Sequence, residues 1–112
     1  DVGKAINPQG VMGQIQGGIG MGLGFALMEK FLPGESISMS EYHIPTSMDM
    51  PQIQCIIVED PEPTGPFGAK GLGEPSLAPT APAILNAIAD ALGKRIDELP
   101  ANPEAVRAAV CR

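Results

Sequence analysis

Bulky aromatic side chains are scarce in this sequence, which has no Trp, one Tyr and three Phe among 112 residues. A core must be assembled from Ile, Leu, Val, Met and Ala, which is thin for a self-sufficient domain and points to a piece of something larger. Basic residues are also few, seven against thirteen acidic ones, for a formal net charge of −6. That balance leaves no electrostatic footprint for gripping a phosphate backbone, so no nucleic-acid partner is expected. One histidine and two cysteines, Cys55 and Cys111, supply no zinc or iron–sulfur ligand spacing and no disulfide framework. Any metal has to arrive with a cofactor, and a reducing cytoplasm with no secretory leader is the expected setting. Fourteen Gly and twelve Pro approach the level that signals disorder, but a mean hydropathy of +0.10 argues for a folded chain.

Three helices are predicted. The first starts after Asn7-Pro8, with Asn7 as cap and Pro8 at the position where a missing N–H costs nothing. Val11, Ile15, Ile19, Leu23 and Leu27 recur every four residues, so a buried helix is expected, stopped by Pro33-Gly34. The run from Ala5 to Met28 has no charge, yet Asn7, Gln9, Gln14 and Gln16 argue against a membrane span. A second helix is expected from about Thr80, capped by Gly93, and a short last one from Asn102-Pro103-Glu104. Between them, alternation at Ile37-Ser38-Met39-Ser40 and the apolar residues 53 to 58 predict two strands, the second covered on both faces with Cys55 buried inside it. The order helix, strand, strand, helix, short helix reads as α+β.

Glycine at 10, 13, 17, 18, 20, 22 and 24 would weaken the first helix by about 1 kcal/mol each relative to Ala. Close backbone packing, or a flat ligand lying against the helix N-terminal half, would each explain it. No G-x-G-x-x-G and no Gly-Lys-Ser/Thr occurs here, which excludes the common phosphate cradles. The loop Gly65-Pro66-Phe67-Gly68-Ala69-Lys70-Gly71-Leu72-Gly73-Glu74-Pro75 is more informative. Pro75 holds Glu74 extended while Gly73 permits a turn, so a carboxylate is presented from a constrained backbone, as a positioned base requires. By spacing alone Glu74 better suits a surface acid preceding a helix and favoured by its dipole, Lys70 a solvated charge, and His43 packing or surface.

Several blocks in order add a resemblance. Asp1-Val2-Gly3-Lys4-Ala5-Ile6-Asn7-Pro8, Gly13-Gln14-Ile15-Gln16-Gly17-Gly18, Gly22-Leu23-Gly24 and Gly68-Ala69-Lys70-Gly71-Leu72-Gly73-Glu74-Pro75 resemble the xanthine dehydrogenase/aldehyde oxidase family. The similarity continues through Ala81-Pro82-Ala83 and residues 86–91 to Leu99-Pro100, matching the C-terminal part of the molybdopterin-binding large subunit over residues 1–112. The resemblance implies a fragment of a molybdenum cofactor-binding domain in a hydroxylase acting on an aldehyde or N-heterocycle carbon with water-derived oxygen. It implies Glu74 as the active-site base, Gln14 as a pterin contact, and Lys70, Gly71, Leu72 and Gly73 as supporting cofactor contacts, with no protein ligand to the metal. The implied cofactors are a molybdopterin-type molybdenum cofactor here and 2Fe-2S clusters and FAD on other domains or subunits. The implied partners are the remainder of the large subunit, the iron–sulfur and FAD modules and a small-molecule substrate. The alternative is a non-catalytic packing or assembly module of the same family, and a fragment on its own is expected to self-associate through exposed apolar surface.

Overall fold

Asn7 starts the first helix through its side chain: its Oδ1 accepts the Gly10 N–H at 3.0 Å, and Pro8 opens α1 (Pro8–Leu27). In this computed structural model, which describes residues 1–111, the Met28 and Glu29 amides both return to the Gly24 carbonyl and end α1. The second helix, α2 (Thr80–Leu92), stops at Gly93, whose φ of 67° is the left-handed conformation that glycine adopts without strain. Asn102 caps α3 (Pro103–Val110), its Oδ1 accepting the Ala105 N–H at 2.9 Å. All three helices begin where the sequence signals place them.

The two expected strands do not form, and the α+β assignment is corrected to a helical fold with long irregular connections. Among the described residues the ladder contact is a single antiparallel bridge between Gly3 and Ala69. A strand exists through the partner that takes up its N–H and C=O groups, and side-chain alternation supplies no partner. Residues 37–44 fold back on themselves instead. The Ser38 carbonyl accepts the Glu41 and Tyr42 amides at 3.2 and 2.9 Å, leaving Ile37 and Met39 exposed. Residues 51–59 run without regular structure, Ile56 is 76% exposed and Cys55 only half-buried, so the expected cover on both faces is missing.

α1 packs against α2, and the C-terminal segment joins them where the Ala101 amide donates to the Ala26 carbonyl at 2.7 Å. The apolar stripe of α1 is half-buried, which corrects the expectation of a buried helix; its buried positions are Gly18, Gly22, Gly24 and Ala26. Elsewhere the buried apolar residues are Val2, Ala81 and Ala101. A radius of gyration of 17.0 Å exceeds the roughly 13 Å of a closed domain of this length. The accessible surface of 7974 Å² likewise exceeds the roughly 5,800 Å² of a monomer of this mass. The chain does not close a core on itself. Met21, Phe25, Leu77, Pro82, Leu85 and Leu99 line an open apolar groove between α1 and α2. No helix among the described residues is long and apolar enough to cross a membrane.

Candidate functional site

Glycine divides α1 into two faces. A Cβ on Gly18 would overlap the Ser76 side chain and lie 3.1 Å from the Leu77 nitrogen, and one on Gly22 would lie 2.5 Å from Thr80 Cβ. These two glycines let the segment leading into α2 press against the helix backbone. Gly13 and Gly17, by contrast, face open space, and a Cβ on either would meet nothing within 4 Å. Close packing therefore explains one face, while the other, beside Gln14, is an open shelf.

The loop of residues 65–75 is held at both ends. At its start Phe67 and Gly68 both take positive φ, 54° and 81°, which turns the chain so that the Gly68 carbonyl accepts the amides of Lys4 and Glu62 at 2.7 and 3.0 Å. The Lys70 amide donates to the Val2 carbonyl at 3.0 Å, and its ammonium lies 2.5 Å from Asp1 and 3.5 Å from Asp60. Lys70 is thus committed to two carboxylates. At the far end the Ser76 hydroxyl donates to the Gln14 carbonyl at 3.1 Å, and the Leu77 amide closes a turn on the Glu74 carbonyl at 3.0 Å. One helix turn and one loop turn are tied together across 62 positions of sequence.

The predicted residues fall on two hollows that share no lining residue. Gln14, Lys70 and Leu72 line one of about 350 Å³, with Asn7, Gly10 and Val11 at the α1 N-terminus. Gly71, Gly73 and Glu74 line a wider one of about 720 Å³ with Pro75 and Ala78. The Gln14 and Glu74 side chains are both exposed. At the edge of the loop, hydrogen bonds from the Thr64 hydroxyl and amide hold the Glu62 carboxyl below the usual carboxylate range, and the Lys70 charge adds to this. Away from the loop, Tyr42 donates to Glu29 at 2.5 Å, and this bond, reinforced by burial and the nearby negative charge, pushes the phenol above its ordinary value. His43 is exposed on the same segment.

Sequence reasoning missed Ser76, Asp1, Asp60 and Val2. The glycine at 18 was the available signal for Ser76, since a helix that gives up its side chain there invites a close neighbour. The anchors at Asp1, Val2 and Asp60 depend on long-range closure and carry no local signal.

A family model described as molybdopterin cofactor-binding domain matches residues 1–51. A xanthine dehydrogenase molybdenum-binding subunit from Escherichia coli O157:H7 is 39% identical over 93% of this chain, which spans 15% of that protein. Subunit gamma of the 6-hydroxypseudooxynicotine dehydrogenase complex of Paenarthrobacter nicotinovorans is 41% identical over 95% of the chain, and 14% of its own length is covered. The solved aldehyde oxidoreductase of Desulfovibrio gigas superposes with a TM-score of 0.94 and 38% identity over the whole chain, covering 13% of that structure. The chain belongs to the xanthine dehydrogenase/aldehyde oxidase family. It spans about 15% of the length of the curated relatives it matches. Within that family likeness, Gln14 lies inside the matched cofactor-binding region and Glu74 inside the full-length superposition.

The residues present fit a molybdopterin. The Gln14 amide offers donors and an acceptor suited to the polar edge of a pterin, and the open positions at Gly13 and Gly17 leave the helix backbone bare beside it. The hollow reaches the N-terminal turn of α1, where no acidic side chain opposes an anionic group.

Proposed function

We propose that this chain is one segment, residues 1–112, of the cofactor-binding domain of a molybdenum hydroxylase, and that it contributes Glu74 as general base and Gln14 as a pterin contact. The observation that carries the reading is the hydrogen bond from Ser76 to the Gln14 carbonyl, which brings the Gly-Glu-Pro turn and the glycine shelf of α1 to the same end of the fold. The similarity to molybdenum-binding subunits supports the cofactor.

When bound, the molybdenum cofactor supplies the redox centre at which a substrate carbon gains oxygen from water. The chain's own residues bind, orient and move a proton. Gln14 holds the pterin edge through its side-chain amide, while the neighbouring glycines allow a flat group to approach the helix. Glu74 accepts the proton of the attacking water at a carboxylate oxygen, a role worth about 10²- to 10⁴-fold in rate. Lys70, fixed by Asp1 and Asp60, sets the entry of the loop, Leu72 lines the hollow that holds Gln14, and Gly71 and Gly73 line the one that holds Glu74, each as a supporting cofactor contact. The substrate is an aldehyde or a nitrogen heterocycle, the classes named for the relatives. The electron-transfer modules, with 2Fe-2S clusters and FAD, reside on other domains or subunits, in keeping with a relative named as one subunit of a complex. The free Cys55 and Cys111 suit a reducing cytoplasm.

The test is Glu74→Gln in the complete enzyme. Molybdenum content stays at the parent level and turnover falls at least about 100-fold, or close to 3 kcal/mol of barrier. Unchanged turnover with full metal would assign the chain to packing alone.

A further inference from the structure

The stretch that leads into Glu74 is unrestrained. Among the described residues the main chain of Gly71, Leu72 and Gly73 takes part in no hydrogen bond, and a Cβ on either glycine would meet nothing within 4 Å. The Glu74 side chain is exposed, so its place follows from its backbone. Restraint comes from the residues that follow. The Leu77 amide donates to the Glu74 carbonyl at 3.0 Å, the Ser76 hydroxyl to the Gln14 carbonyl at 3.1 Å, and the Thr80 hydroxyl to the Ser76 carbonyl at 2.9 Å. Ser76 and Thr80 also sit in neighbouring notches of α1, against Gly18 and Gly22, which follow Gln14 on the same face of the helix. Pro75 joins Glu74 to Ser76; its ring fixes its own φ and narrows the backbone of the residue before it. Few free torsions therefore separate the anchored serine from the carboxylate.

We propose that Ser76 is a positioning residue: its hydroxyl, bonded to the Gln14 carbonyl, fixes the Glu74 turn against α1 and so sets where the carboxylate stands relative to Gln14. This rests on the reading of Glu74 as general base. Such a base acts only within hydrogen-bond reach of the proton it takes, and a misplacement of about 1 Å can cost about 100-fold in rate. With two unrestrained glycines on its other side, Glu74 depends on Ser76 for that precision. The Ser76 Cβ supplies the packing against Gly18, and the hydroxyl adds direction, because it points at one carbonyl. Ser76→Ala therefore removes the direction and keeps the packing. The Gln14 carbonyl lies inside α1 and retains its own helical amide, so the substitution orphans no main-chain group.

Turnover per bound molybdenum in the complete enzyme, measured for Ser76→Ala, Glu74→Gln and the double variant, tests this. Ser76→Ala lowers kcat about 10-fold with KM and molybdenum content at the parent level. In the Glu74→Gln background the same substitution adds less than about 2-fold, because the carboxylate it positions is gone. Amide hydrogen exchange supplies a readout apart from catalysis: the Leu77 amide, bonded to the Glu74 carbonyl, exchanges about 10-fold faster in Ser76→Ala, while the Val106 amide of α3 keeps its parent rate. Unchanged kcat, an equal loss in both backgrounds, unchanged exchange at Leu77, or faster exchange at Leu77 and Val106 alike would each overturn the inference and leave Ser76 a packing residue. Parent-level turnover of Glu74→Gln would remove the catalytic reading itself and this inference with it, whereas a large loss in Glu74→Gln with an additive Ser76→Ala effect would remove this inference alone.

Discussion

Two adjacent glycines of α1 provide the sharpest test of how this fold is built. Replacing either Gly17 or Gly18 by Ala should gain about 1 kcal/mol of helix stability, because Ala loses less backbone freedom on folding. At Gly17 nothing opposes that gain, since no atom lies within 4 Å of the new methyl. At Gly18 the methyl meets the Ser76 hydroxyl, the Ser76 Cβ at 2.9 Å and the Leu77 nitrogen at 3.1 Å. The hydroxyl can rotate aside by giving up its bond to the Gln14 carbonyl, but the Cβ and the backbone nitrogen must move. Overpacking of this kind costs about 1–3 kcal/mol, so Gly18→Ala should be neutral to about 2 kcal/mol destabilising. The two variants therefore differ by about 1–3 kcal/mol although they are neighbours. Urea unfolding of the chain followed by far-UV circular dichroism reads this as midpoints separated by about 1 M, with Gly17→Ala above the parent. Coincident midpoints, or Gly18→Ala above Gly17→Ala, would refute the two-faced reading of the helix.

In the complete enzyme, Gln14→Ala should lower the molybdenum-to-protein ratio, measured by metal analysis, more than it lowers turnover per bound molybdenum; full occupancy would remove Gln14 from the cofactor contacts. Asn102→Ala should destabilise the chain by about 1 kcal/mol through loss of the bond to the Ala105 amide, seen as a lower thermal midpoint. Thr64→Val should return the Glu62 pKa upward toward the usual carboxylate range, as followed by NMR titration. The sign is fixed by that depressed value: the Thr64 bonds stabilise the folded chain above the ordinary carboxylate pKa and lose their contribution as pH falls through the folded one. A variant that titrates like the parent would show that the Thr64 hydroxyl is not the cause.

What could be read from the sequence was local. Asn7-Pro8, Thr80 with Gly93, and Asn102-Pro103 announce helix ends through side-chain and backbone preferences that act over three or four residues. The apolar 53–58 run has the side-chain pattern of a strand, but no ladder partner lies beside it among the described residues, so its backbone stays irregular. Ile37-Ser38-Met39-Ser40 shows the same limit from the other side: alternation is present, yet the Ser38 carbonyl finds nearer amides and the chain turns. Glu74, Gln14 and Lys70 are singled out by motif blocks, and the fold sets them along two hollows beside the 65–75 loop. The tie between Ser76 and α1 requires knowing that Gly18 faces inward, and periodicity cannot settle that on a helix carrying seven glycines.

The stitch joining Asp1 and Val2 to Lys70 has a kinetic consequence. Its ends are 69 positions apart, and closing a loop of that length costs about 4 kcal/mol of chain entropy before any contact is made. α1 and α3 can nucleate from contacts within a few residues, whereas the entry to the Glu74 loop must wait for its distant ends to meet. The helices therefore assemble early, and the loop that bears the carboxylate is shaped last.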